Sequence, residues 1–146
     1  MEFLKHAHSG LRWLVLVFLV VAIVSALMKW QSKAAHKKSD NMMPMLAMAF
    51  THIQIVIGFV LYFMSQKVSF HEGWMKDGAA RFYGMEHVLM MVIAVVLITI
   101  GYSRAKRQSD SGKKFKTIFT FYLIGLLLIL AGIPWPFRAA LGGGWF

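Results

Sequence analysis

Three histidines fall inside stretches that are otherwise almost wholly apolar: His8 in HAHSGLRW, His52 in AFTHIQIVIG and His87 in FYGMEHVLMM. An imidazole in such company needs a partner, because burying a polar group without a hydrogen bond or a metal is costly. Imidazoles from two helices, apolar walls and nearby cations are what a b-type haem requires for its axial positions and its propionates. His52 and His87 are the first choice for that axial pair, with His8 as the competitor. Arg12, at i+4 from His8, and Arg81 are the expected propionate contacts. Gly84 and Gly58 leave room beside the rings, and Tyr83, Met90 and Met91 lie on the His87 side. Glu86 is adjacent to His87 but points about 100° away around the helix. It either pairs with a cation such as Arg12 or stays neutral and transfers a proton.

Other chemistries compete for the same residues. The chain has 11 Met, clustered at 42, 43, 45 and 48 and again at 85, 90 and 91, and thioethers suit Cu(I), so copper is a minor alternative to haem b. The absence of Cys removes thiolate sites and iron–sulfur clusters. A single intramembrane His can also just bond a neighbouring helix, a contact worth about 1 kcal/mol. His6, His36 and His71, in surface segments, take that plain reading. A second class of function is therefore a non-haem accessory subunit, whose buried His and Glu serve proton transfer, metal binding or helix packing. With span midpoints near residues 54 and 93, His52 lies about 3 Å to one side of the bilayer centre and His87 about 9 Å to the other. His8 and His87 show a similar offset, so depth alone does not choose between the pairs.

These side chains need long elements to hold them. The chain of 146 residues is 58% hydrophobic and only 15% charged, too apolar for a water-soluble domain of this size. Because the hydrocarbon layer is about 30 Å thick, a spanning helix needs about 20 apolar residues. Four segments qualify, about 10–30, 42–64, 82–102 and 115–133, the last stopped by Pro134 and Pro136. The fold predicted is a single all-α transmembrane domain over 1–146, a four-helix bundle with both termini on the outer, periplasmic side. MEFLKHAHSGLRW lacks the pattern of a cleaved leader, so the first helix is expected to be retained.

The net charge of +10 comes in short basic runs between apolar stretches, as in membrane loops, and excludes a nucleic-acid stripe. Ten of the 16 Lys and Arg, at 29, 33, 37, 38, 104, 106, 107, 113, 114 and 116, fall with the first and third loops, which places those loops in the cytoplasm of a bacterial inner membrane. Trp13, Trp74, Trp135 and Trp145 fall near the outer interface and Trp30 near the inner one. A short chain with little loop outside the bilayer fits an electron-transfer or accessory subunit, working with other membrane or respiratory subunits, better than a stand-alone enzyme.

The stretches HSGLRWLVL, FTHIQIVIGFVLYF, RFYGMEHVLMMVIAVVLITIGYS and KKFKTIFTFYLIGLLLILAGIPWPFR together resemble small four-helix membrane proteins of Bacteroidetes-type bacteria, labelled cytochrome b or cytochrome b-like. The likeness runs over nearly the whole chain. It implies that His8, Arg12, His52, Glu86 and His87 occupy the family's recurring polar positions.

Overall fold

An apolar chain with no water at hand must close its own main-chain hydrogen bonds, and a helix does so within one segment. The computed structural model describes residues 1–146 and contains four long helices: α1 Glu2–Gln31, α2 Met42–Met64, α3 Gly78–Arg107 and α4 Ser111–Gly132. All four are long and apolar enough to cross a membrane, and the chain has no strand. The bounds of α2 are those predicted from hydropathy. Helix α1 begins well before Gly10, and α3 begins at Gly78 because Oδ1 of Asp77 accepts the N–H groups of Ala79 and Ala80 at 3.0 and 3.1 Å. Asp110 caps α4 in the same way, accepting the N–H of Lys113 at 2.8 Å.

Each helix packs on its neighbours in sequence and α1 closes the ring against α4, so the bundle runs up and down with α1 and α3 on a diagonal. The seam between α3 and α4 is the tightest. A Cβ on Gly125 would stand 2.8 Å from Cγ1 of Ile98, and one on Gly101 would run into Phe121, so these glycines let the two helices touch along their backbones. Leu19, Ala47, Ala94, Ile98 and Tyr122 are fully enclosed along the axis, and the hydroxyl of Tyr122 donates to the Pro44 carbonyl at 2.6 Å.

Arg12 near the start of α1 bonds the carbonyl of Trp145, so both termini meet at one end of the bundle. At the opposite end Lys29 pairs with Asp40, and the main chain of His36 donates to Ser111 Oγ at 2.9 Å. That end also holds the start of α2, with Met42, Met43, Met45 and Met48, far along the bundle axis from His87.

Candidate functional site

His87 owes its position to two local irregularities. Residues Phe82–Glu86 form a π turn within α3, an extra residue in the helix that re-aims everything beside it. In a π turn residue i meets i+5, which is why Arg81 Nε reaches Glu86 Oε1 at 2.6 Å. The second irregularity is at the end of α4. The carbonyls of Leu130 and Gly132 would ordinarily bond the N–H of residues 134 and 136, but both are proline and have none. Side chains replace them: Trp135 Nε1 donates to Leu130 at 2.9 Å, and His87 Nδ1 donates to Gly132 at 2.7 Å. With its proton committed to that carbonyl on Nδ1, His87 keeps a lone pair on Nε2.

Across the bundle from His87 stands His8 of α1, the ring centres 6.3 Å apart and the planes 75° to one another. Both line one cavity of about 330 Å³ at the end of the bundle where the termini meet. Gly58 makes room for His8, since a Cβ there would come within 3.2 Å of its Cε1. Gln54, one turn away on α2, donates from Nε2 to the main-chain carbonyl of His8 at 2.6 Å. Nδ1 of His8 and Oε1 of Gln54 are both buried without a partner.

Arg12 lines the same cavity and is 8% exposed. Its Nη2 donates to the carbonyls of Gly144 and Trp145 at 3.2 and 2.6 Å, its guanidinium lies over the rings of Trp13 and Trp135, and its Nε is buried with no partner. No carboxylate forms an ion pair with it: Glu86 pairs with Arg81, and Glu2, which lines the same cavity, pairs with Lys5. The tail after α4 closes this side: Tyr83 donates to the Leu141 carbonyl at 2.7 Å, Lys67 to Gly142 at 3.0 Å and Trp13 to Trp145 at 3.0 Å. Gly142 has φ +58°, and a Cβ on Gly143 would overlap the Pro134 carbonyl, so only glycine lets the tail turn back here.

The residues singled out in the sequence thus divide. His8, His87 and Arg12 come together, with Gly58 and Tyr83 beside them. His52 does not join them; its Nε2 lies 2.8 Å from Thr99 Oγ1 and ties α2 to α3. Arg81 is bound to Glu86 and to the Met75 carbonyl rather than turned into the cavity, and Glu86 is paired with Arg81, not with Arg12. Gln54, the Gly132 carbonyl and the tail were not among the residues picked out. The spacing of Gly132 and Pro136 was the available signal for the carbonyl.

In comparisons with known proteins, no family model, no curated protein and no solved structure matches this chain. Fold and site define it as an all-α bundle of four helices, each able to cross a membrane, with a histidine-lined cavity at one end.

Proposed function

We propose that this chain holds haem b between His8 and His87 and relays electrons in a bacterial inner membrane, in exchange with a quinone or a respiratory partner. The single observation that carries the reading is the separation of the two rings. An imidazole nitrogen lies about 2 Å from its metal and roughly 1.1 Å from its own ring centre, so two imidazoles on opposite sides of one metal have centres about 6 Å apart. The 6.3 Å between His8 and His87 fits that requirement.

The rest of the cavity agrees. No group of three or more His, Cys, Asp or Glu side chains converges anywhere in the chain, so a bare ion would find too few of these donors, whereas a porphyrin brings four of its own. The lone pair on His87 Nε2 is the form a ligand needs, and the Gly132 carbonyl fixes that tautomer. A buried guanidinium without a counter-ion favours a ligand with acidic groups, and Arg12 is suited to hold a propionate. The cavity of about 330 Å³ is within the size range of cofactor sites. Haem, when bound, supplies a one-electron couple. The protein's own part is to hold the two imidazoles at fixed separation and to face the acidic edge with Arg12.

The test compares three variants in detergent-purified protein from haem-replete cells. His8→Ala and His87→Ala are each expected to lose or alter the Soret band, while His52→Ala keeps it unchanged. A Soret band that depends on His52 but not on His8 would overturn the assignment of the pair.

A further inference from the structure

His87 and His8 are held unequally. His87 Nδ1 has the Gly132 carbonyl, while Nδ1 of His8 is enclosed and lacks an acceptor. A metal-binding imidazole that uses Nε2 carries its proton on Nδ1, and that proton needs somewhere to go.

The complementary gap lies next to it. Gln54 faces the His8 main-chain carbonyl at 2.6 Å. A carbonyl only accepts, so the amide nitrogen must be the atom turned toward it, and Oε1 is the atom left over. That oxygen is buried without a donor. The Cε1–Nδ1 edge of the His8 ring faces α2, since a Cβ on Gly58 would stand 3.2 Å from Cε1 and 3.9 Å from Nδ1, and Gln54 is one turn from Gly58 on the same helix face. Two buried polar atoms without partners, Nδ1 of His8 and Oε1 of Gln54, thus belong to one α1–α2 seam. Left apart, each is a buried polar group whose hydrogen bond to water has been lost and not replaced.

We propose that Gln54 is the positioning residue of His8: its Oε1 accepts the Nδ1–H of the imidazole, directly or through one water, and holds the ring with Nε2 turned toward His87. The bond is not closed in the structure; what argues for it is the pair of unpartnered atoms and the packing of the His8 ring on Gly58. Its consequence for redox potential rests on the reading that His8 and His87 would hold haem. The amide is a neutral acceptor, so His8 stays a neutral imidazole. A carboxylate at this position would draw the proton away, make His8 the stronger electron donor and favour the oxidised metal.

Two measurements on the full-length protein test this. ¹⁵N NMR of histidine-labelled protein in detergent is expected to show the His8 proton on Nδ1 in the wild type and to lose that preference in Gln54→Leu. Gln54→Glu keeps the side-chain shape but gives up the amide donor to the His8 carbonyl, and as a carboxylate in pigmented protein it is expected to disfavour reduction about tenfold, roughly 59 mV lower in midpoint potential. Gln54→Leu is expected to shift the potential the opposite way. A His8 tautomer unchanged in Gln54→Leu overturns the hydrogen bond, and a potential unmoved in both variants overturns its redox consequence. A colourless wild type would overturn the haem reading instead, and the tautomer measurement would then decide the role of Gln54.

Discussion

The Gly132 carbonyl accepts Nδ1–H of His87 at 2.7 Å because Pro136, four residues on, has no N–H to offer it. A proline just beyond a helix end thereby fixes the tautomer of a histidine on another helix. His87→Ala would leave that carbonyl enclosed with no donor, a loss of about 1–3 kcal/mol. The unfolding midpoint in detergent is expected to fall accordingly, and His87→Asn, which retains a donor, is expected to recover part of it. A His87→Ala protein as stable as the wild type would contradict the role given to this bond.

The tail is held by Arg12 and by a turn that tolerates no side chain. Gly143→Ala places a methyl against the Pro134 carbonyl and is expected to release the tail from Arg12 and Trp13. Trp145 would then leave its stack on Trp13, whose ring centre is 6.3 Å away. Tryptophan fluorescence should shift to the red and become accessible to an aqueous quencher, and Arg12→Gln should do the same. Unchanged emission in both variants would count against a tail clamped by these contacts.

Packing along the α3–α4 seam predicts a different kind of failure. Gly125→Ala forces Ile98 aside and is expected to destabilise the bundle by about 1–3 kcal/mol. Gly10→Ala, where nothing lies within 4 Å of the added carbon, is expected to be neutral or slightly stabilising. Thermal unfolding of the two variants side by side reads the difference.

At the opposite end, burial and then the nearby Lys114 ammonium hold the His36 pKa below its ordinary value of 6.5. A proton then binds the unfolded chain more readily than the folded one. The contribution of His36 is fully present above pH 6.5 and is lost as pH falls from there through the lowered folded value. Unfolding midpoints measured between about pH 5 and 8 should therefore decline more steeply toward acid in the wild type than in His36→Gln. Parallel curves would show that His36 contributes nothing.

The four helices were legible because a membrane span is written in composition: α2 over Met42–Met64 matches its hydropathy to the residue. The starts of α1 and α3 were harder to place, since a helix continues past the apolar run wherever a cap allows, as Asp77 does for α3. The site was legible in its residue types and not in its pairing. The π turn at Phe82–Glu86 inserts a residue just before His87, and a heptad-like projection of the sequence carries no sign of it. Depth counting did not separate His8 from His52, whereas the structure shows His52 engaged with Thr99 and His8 facing His87. Gln54 bears no charge, and its importance arises only once α1 and α2 are packed.

The reading of the site comes down to whether a pigment sits between two imidazoles. The most direct measurement is the reduced-minus-oxidised absorption spectrum of the wild-type protein, purified in detergent from haem-replete cells. A Soret band that shifts on dithionite reduction, at one haem per chain, is the predicted result. A colourless preparation, or a spectrum that dithionite leaves unchanged, would contradict it.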